Sequence, residues 1–222
     1  MIGPKWAVPP KAWDAQIDWD EIHDPVTFKD KIAVHYGGGP NTAGQFSGVF
    51  AEEAGDMPPR PKWHSHPWLF LRWRTSAEYW SQIDKEEAVL RGWEAYHRGK
   101  GWRGLAYSYG LGQSGTLYRN RGMNATGAHY GSDDIDHDGV SENREALAVV
   151  FILGAGQEPS KYALRTFRKF RRWAQKQEMV ADHLGVYGHQ EIARSGGHST
   201  ACPGVPLMSW LTVKFKKWRT AI

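Results

Sequence analysis

The sequence predicts an α/β fold in which a single mixed central β-sheet is flanked by helices. Three observations support this prediction. Short β-prone runs end in glycine-rich turns, several longer segments repeat apolar residues at helical spacing, and one unbroken apolar run is typical of a central strand buried on both faces. Because strands and helices alternate along the chain, we expect them to form one layered domain.

The predicted strands are short and bounded by turn residues. They lie at residues 31–36, 104–111, 116–118 and 146–153. The first ends in a glycine-rich turn, which places His35 near the C-terminal end of a strand, where α/β proteins collect site residues. The second and third flank the turn signal Gly112-Gln113-Ser114-Gly115 and predict a hairpin.

Three segments repeat apolar residues at helical spacing and are predicted to be helices. They are residues 77–98, 160–176 and 205–219. The second has a strongly basic face opposite its apolar stripe. The third carries Lys and Arg near its C-terminal end, where the helix dipole favours positive charge.

The composition is that of a globular protein that can bury a full core. Of 222 residues, 41% are hydrophobic and 23% are charged. We expect one domain at 31–222, with a Trp- and Pro-rich extension at 1–30 and a Trp-rich insertion at about 45–75. The single cysteine excludes an internal disulfide. A net charge of +4 favours weak attraction to polyanions such as nucleic acid, teichoic acid or a bacterial wall.

Neither a signal peptide nor a membrane-spanning segment is recognisable in the sequence. Residues 1–6 lack an apolar signal core, and the longest apolar run, at 146–154, is too short to cross a bilayer. We therefore expect a protein that is made in the cytoplasm without its own export signal, does not insert into membranes and is a monomer.

The only cysteine, Cys202, lies close in sequence to His189 and His198. Thiolate sulfur and imidazole nitrogen are ligands that zinc prefers, and three protein ligands leave a fourth position open for water or substrate. An open position is typical of a catalytic metal site. The alternative is a buried structural cysteine beside unrelated surface histidines.

Five motifs occur in order along roughly residues 30–220. They are Val34-His35-Tyr36, the segment from Tyr96-His97 to Leu105-Ala106-Tyr107, Gly127-Ala128-His129, the apolar run at 146–154, and Gly188-His189 with Thr200-Ala201-Cys202-Pro203-Gly204. In this order they resemble the zinc-dependent N-acetylmuramoyl-L-alanine amidases of the type 2 class, a family that includes phage endolysins and peptidoglycan recognition proteins.

The resemblance implies a zinc site formed by His35, His189 and Cys202. The chain departs from most of the family because thirteen positions separate residue 189 from residue 202. His198 is therefore a rival for the second ligand. We favour His189 because it follows the β-prone pair at 186–187, whereas His198 sits in a Gly-Ser segment suited to a solvent loop.

The resemblance also implies a reaction. A zinc ion with an open position lowers the pKa of its water and makes it available to attack an amide carbonyl. Tyr107 and Thr200 are the candidate hydrogen-bond donors to the charge that develops on that carbonyl, and His129 is a candidate substrate contact. Each of the three residues also has an alternative without a part in the reaction: Tyr107 could pack in the core, Thr200 could cap a turn and His129 could lie on the surface.

Two further patterns could bind metal. Asp134, Asp136 and Asp138 precede a glycine at the spacing of a calcium loop, with Glu145 following, but the helices of an EF-hand are not predicted. A solvated acidic loop is the alternative. The pair His64 and His66 lacks a third ligand nearby in the sequence.

Three functions compete. The leading hypothesis is a lytic hydrolase, in particular a phage endolysin, that cuts bacterial peptidoglycan at the amide bond between N-acetylmuramic acid and L-alanine. The second is a noncatalytic peptidoglycan-binding module on the same fold, which should have lost a zinc ligand. A nucleic-acid binder is disfavoured, since it needs aromatic and basic residues interleaved on one exposed surface, whereas the aromatic residues of the basic helices here point inward.

Overall fold

The computed structural model of the chain describes residues 4–13, 15, 29–37, 77–130, 134, 139–154, 156–178 and 180–215. Within them the strands are β1 (Lys29–Tyr36), β2 (Tyr109–Leu111), β3 (Leu117–Arg119), β4 (Ala146–Phe151) and β5 (Val180–Gly188). The helices are α1 (Ala77–Gly99), the single turn α2 (Glu142–Glu145), α3 (Lys161–Ala174), α4 (His189–Ser195) and α5 (Val205–Lys214), with a short 3-10 helix at Pro10–Trp13.

The five strands form one mixed sheet in the order β3-β2-β4-β1-β5. Strand β1 pairs in parallel with β4 and β5, strand β2 pairs in parallel with β4, and β2 and β3 form the antiparallel hairpin. The prediction of a single mixed sheet flanked by helices is confirmed. Strand β4 lies at the centre of the sheet and is fully buried, as its unbroken apolar run predicts.

Alternating residues of the sheet point to two different layers. On β1, Ile32 and Val34 belong to the main core, to which α3 and α5 contribute apolar side chains. Ala33, between them, packs on the opposite face. His35 follows Ala33 by two positions, so it shares that opposite face. Period-two alternation therefore places the candidate ligand away from the main core.

The N-terminal segment packs against the domain. Val8 forms a parallel bridge with Tyr118 of the hairpin, exchanging backbone hydrogen bonds with residues 117 and 119. Trp13 is fully buried beside Leu90 of α1. Burial of these apolar side chains ties residues 4–13 to the sheet edge and to α1.

Some predicted boundaries are wrong. The first hairpin strand begins at Tyr109 rather than at residue 104. The last helix ends at Lys214 rather than at residue 219, because Phe215 leaves the helical conformation and packs against Phe167 and Trp210. An apolar residue such as Phe215 occurs at the same spacing whether it continues a helix or packs just beyond its end, so the hydrophobic period alone does not locate the end of the helix.

The calcium pattern falls mostly outside the described residues, since Asp136 and Asp138 are not among them. Asp134 accepts a hydrogen bond from the backbone amide of Gly139. Glu145, the last residue of the pattern, instead lies in a buried ion pair with Lys31, at 3.5 Å. The predicted insertion at 45–75, with His64 and His66, also lies outside the described residues.

Within the described part of the chain, no helix is both long enough and apolar enough to cross a membrane.

Candidate metal centre

Three elements bring the three candidate ligands together. His35 lies near the end of β1, His189 is the first residue of α4, directly after β5, and Cys202 lies in the loop before α5. Strands β1 and β5 are parallel neighbours, with Val34 opposite Gly188, so the residues that follow these two positions emerge side by side. The sheet register therefore determines that His35 and His189 meet.

The candidate ligand atoms are close enough to share one metal ion. One ligand atom each from His35, His189 and Cys202 lies within 4.8 Å of the others. Cys202 Sγ is 3.7 Å from His35 Nδ1. Sulfur and nitrogen ligands at normal zinc bond lengths around a tetrahedral ion lie about 3.6 Å apart. A soft thiolate with two imidazoles is a donor set that zinc accepts, and it leaves a fourth position open.

The loop that carries Cys202 is fastened to the start of α4. The backbone amide of Gln190 donates to the carbonyl of Cys202 at 2.6 Å, and the amide of Cys202 donates to Thr200 Oγ1 at 3.2 Å. A Cβ at Gly188 would overlap Met208 and Pro203, so only glycine allows the loop and α5 to approach the end of β5 this closely.

The electrostatic environment keeps the imidazoles neutral. Burial, with a smaller contribution from His189 and His129, holds the pKa of His35 well below its ordinary value. Burial lowers the pKa of His189 to about 4. Burial also raises the pKa of the Cys202 thiol to about 12, so zinc binding must release its proton.

Tyr107 borders the three ligands. Its ring lies 5.1 Å from the ring of His35, centroid to centroid. Burial, followed by the nearby Cys202, raises the pKa of Tyr107. The phenol therefore keeps its proton near neutral pH and is a hydrogen-bond donor. On its other side lies His97, which accepts a hydrogen bond at Nδ1 from the amide of Ala106.

His129 also belongs to the centre. Its ring lies 5.0 Å from that of His35, and neither of its buried ring nitrogens has a hydrogen-bond partner in the described part of the chain. The ring sits over Gly127, where a Cβ would overlap it. The side chain of Asn143 accepts hydrogen bonds from the amides of His129 and Tyr130 and so holds this segment in place.

The sequence reasoning missed Tyr130. Its ring packs 4.5 Å from that of His189, edge to face, and 4.6 Å from that of His129. It rests on the small side chain of Ala33, so β1 leaves room for it. Its position directly after Gly127-Ala128-His129 was the available signal.

The structure separates the two rival histidines. His198 is exposed in the turn after α4 and is not part of the metal-binding cluster found among the described residues. Thr200 is half-buried two residues before Cys202, and its hydroxyl accepts a hydrogen bond from the cysteine amide. The predicted ligands His35, His189 and Cys202 therefore come together, with Tyr107 and His129 beside them.

Known proteins with similar sequences are peptidoglycan recognition proteins and amidases. Over 132 residues the chain is 26% identical to peptidoglycan recognition protein 1 of Mus musculus, a match that spans 59% of this chain and 65% of the mouse protein. Over 127 residues it is 28% identical to an N-acetylmuramoyl-L-alanine amidase of Homo sapiens, of which the match spans 20%. The chain therefore matches less than two thirds of either relative. No family model matches the chain.

The fold is similar to solved structures over nearly the whole chain. Peptidoglycan recognition protein-LE, crystallised in complex with tracheal cytotoxin, matches with a TM-score of 0.64 and 18% identity, covering 99% of this chain and 98% of that one. Drosophila PGRP-LB matches with a TM-score of 0.64 and 16% identity. The chain is therefore similar in sequence to peptidoglycan recognition proteins and N-acetylmuramoyl-L-alanine amidases, and it has the fold of the peptidoglycan recognition proteins. The resemblance found in the sequence motifs is confirmed.

Proposed function

We propose that the chain is a zinc-dependent amidase that cleaves peptidoglycan at the amide bond between N-acetylmuramic acid and L-alanine. The observation that supports this most directly is the cluster of His35, His189 and Cys202, whose ligand atoms approach one another within 4.8 Å. A binding module would not need an intact set of zinc ligands, whereas hydrolysis needs the open metal position that this set leaves.

The residues around the cluster have distinct parts in this proposal. A zinc ion bound there would supply an activated water molecule and a Lewis acid for the scissile carbonyl. Tyr107, protonated and adjacent to His35, donates a hydrogen bond to the carbonyl oxygen as negative charge develops on it. Thr200 is the second candidate donor. His129 has two buried ring nitrogens without a hydrogen-bond partner among the described residues, and in this proposal one of them contacts the substrate.

The substrate is inferred from the relatives. The human relative is named for its action on N-acetylmuramoyl-L-alanine, and the solved structure of protein-LE holds a monomeric peptidoglycan. We propose the same class of substrate for this chain. A lytic role, as in a phage endolysin, is part of the proposal, and it predicts lysis of intact bacteria when the protein reaches the wall.

The test is digestion of purified bacterial peptidoglycan, followed by mass spectrometry of the soluble products. With zinc present we expect released peptides that begin with L-alanine and glycans that carry free lactyl carboxylates, and we expect a chelator to abolish both. Sugar-ring cleavage, or peptides cut elsewhere, would contradict the proposed bond.

Two histidines from the same region provide a matched pair of variants. We expect His189→Ala to lose zinc and activity, since it removes a ligand. His198→Ala should retain both, because its side chain is exposed and lies outside the cluster. Loss of zinc in His198→Ala with retention in His189→Ala would reverse the ligand assignment.

The competing function is recognition without cleavage, which is supported by the recognition proteins among the relatives. Cosedimentation with insoluble peptidoglycan separates the two. An amidase releases peptides with zinc and still sediments with the wall after chelation. A recognition module sediments in both conditions and releases nothing, and that result would overturn the amidase proposal.

A further inference from the structure

Helix α3 carries a row of exposed cations on the side of the molecule opposite the metal centre. We name Lys161, Arg165, Arg168, Lys169 and Arg172 the basic stripe. All five are exposed, and α3 contains no acidic residue. Four of them follow one another at helical spacing, 161, 165, 168 and 172, so they line one face of the helix over about 16 Å.

The position of the stripe follows from the packing of α3. The apolar face of the helix, with Ala163, Phe167 and Phe170, is buried in the main core together with Ile32 and Val34 of β1. His35 and the other candidate ligands lie on the opposite face of the sheet. The stripe therefore points away from the candidate metal centre, and a ligand on the stripe would leave that centre free.

The three arginines of the stripe carry most of its positive charge. No carboxylate of the described residues forms an ion pair with Arg165, Arg168 or Arg172. Arg171, which is not part of the stripe, is buried and donates to the carbonyl of Leu184. Leaving several like charges unpaired along one helix raises the free energy of the folded chain, and a bound polyanion would relieve that repulsion.

Aromatic rings restrict three of the cations, one of which is Lys161, whose Nζ lies 5.3 Å from the centre of the Tyr162 ring. Lys169 Nζ lies 4.1 Å from the centre of the Trp6 ring, and the Arg168 guanidinium lies 5.6 Å from the centre of the Trp210 ring. Cation–π contacts of this kind restrict side chains that otherwise lose much rotamer entropy on binding. Part of the stripe is therefore already ordered for an anionic ligand.

We propose that the basic stripe binds an anionic, phosphodiester-bearing polymer of the bacterial wall and so keeps the enzyme at its substrate. Trp6 and Trp210 are half-buried beneath the cations rather than projecting beyond them, and the apolar face of α3 is internal. The stripe thus offers charge without the exposed apolar face by which an interfacial helix enters a membrane. Among the described residues, the aromatic side chains that contact the stripe are partly buried, whereas nucleic-acid bases stack on exposed ones.

The test measures cosedimentation of the full chain, with chelator present, on walls that retain their phosphodiester polymer and on the same walls stripped of it. At low salt we expect about tenfold or greater preference for the retained polymer. The variant Arg165→Gln/Arg168→Gln/Arg172→Gln should lose that preference, and its slope of log affinity against log salt should be smaller by roughly 2.

A matched control removes the same charge elsewhere. Lys85→Gln/Arg91→Gln/Arg194→Gln changes exposed cations on other helices and should keep the preference. Circular dichroism of both variants checks that they fold. Equal losses in the two variants would show a net-charge effect and overturn the proposal. Equal binding of the wild type to walls with and without the polymer would also overturn the proposal. The same holds for tighter binding to vesicles of one fifth anionic lipid than to the polymer-bearing walls.

The choice of a wall polymer rests on the proposed function, but the binding assay is run without zinc and does not depend on catalysis. If the stripe does not bind the polymer, peptide release with zinc is unaffected. If the chain releases no peptides, polymer binding can still be observed.

Discussion

The hydroxyl of Tyr107 is the one polar atom by which this side chain differs from a core phenylalanine. Its ring already packs between His35 and His97, so the ring has a structural part whatever the hydroxyl does. The proposed function adds a second part, hydrogen bonding to the developing oxyanion, which only the hydroxyl can perform.

Tyr107→Phe separates the two parts. We expect kcat to fall about 100-fold or more, as for other lost oxyanion donors, with little change in KM. Zinc content and melting temperature should stay close to those of the wild type, because the ring remains. Steady-state kinetics on a soluble muramyl peptide, with metal analysis of the same samples, provides the measurement. An unchanged kcat would leave Tyr107 as a packing residue only.

The side chain of Thr200 forms a hydrogen bond within its own loop, as expected for a threonine that caps a turn. Its Oγ1 accepts from the amide of Cys202, so it shapes the loop that carries the third ligand. The same oxygen can still donate its own hydrogen to a substrate, since a hydroxyl is both donor and acceptor.

Thr200→Val keeps the shape of the side chain and removes the hydroxyl. If the hydroxyl mainly orients Cys202, zinc affinity should fall by about 10- to 100-fold, as for other groups that orient metal ligands. If it acts on the substrate, kcat should fall in zinc-saturated protein. Thr200→Ser should restore either property. We expect the effect on zinc affinity to be present, because that hydrogen bond is observed.

At the scale of elements, α1 is attached to the hairpin by one buried carboxylate. Glu86 accepts hydrogen bonds from the amide and hydroxyl of Ser114, from the hydroxyl of Tyr118 and from Gln82. A Cβ at Gly112 would overlap this carboxylate, so the turn between β2 and β3 is built around it. Through α1, the contact also supports the segment that leads to Tyr107.

Glu86→Ala should destabilise the fold by roughly 2 to 4 kcal/mol, because it leaves buried donors without an acceptor and creates a cavity. Urea unfolding at neutral pH measures the free energy. Asp84→Ala, on the exposed side of the same helix, is the control and should change the free energy by less than about 0.5 kcal/mol.

Glu86→Gln tests the charge of the same group. Burial raises the pKa of Glu86, although its hydrogen bonds act in the opposite direction. Between the pKa of Glu86 in the unfolded chain and its higher pKa in the folded chain, the folded chain binds more protons than the unfolded chain. The stability that the protonated carboxyl contributes is therefore lost as the pH rises through the folded pKa. The neutral variant should gain stability relative to the wild type from pH 4 to pH 8. A constant difference would mean that the pKa is not raised.

At the scale of the whole molecule, the candidate metal centre joins parts of the chain that are far apart in sequence. His35 is separated from Cys202 by most of the domain, and β1, β5 and the loop before α5 meet only in the folded state. Zinc that binds this arrangement and not the unfolded chain must stabilise the fold.

Zinc at 100 times its dissociation constant should add about 2.7 kcal/mol to the free energy of unfolding. For a domain of this size that corresponds to a rise in melting temperature of roughly 5 to 10 °C. Differential scanning calorimetry with zinc and with chelator measures it. Cys202→Ala should not respond, and an equal rise in that variant would show that zinc binds elsewhere.

Local patterns in the sequence were sufficient for the regular elements. The apolar run at 146–153 predicted the buried central strand, helical spacing predicted α1, α3 and α5, although it extended α5 beyond its observed end, and the turn residues at 112–115 predicted the hairpin. These predictions succeed because backbone propensity and one-sided burial act over a few residues. Element ends were less predictable, as Phe215 shows, because they depend on partners distant in sequence.

The sequence by itself determined which side chains could bind zinc, since Cys202 is the only thiol and few histidines lie in suitable motifs. Only the tertiary structure placed His189, and not His198, beside His35 and Cys202. The parallel pairing of β1 with β5 brings the end of one strand beside the end of the other, and it leaves His198 in solvent. The same long-range packing placed Tyr130 against His189 and placed the basic stripe on the other side of the sheet from the candidate metal centre. Such contacts depend on strand register and layer order, which no local pattern encodes.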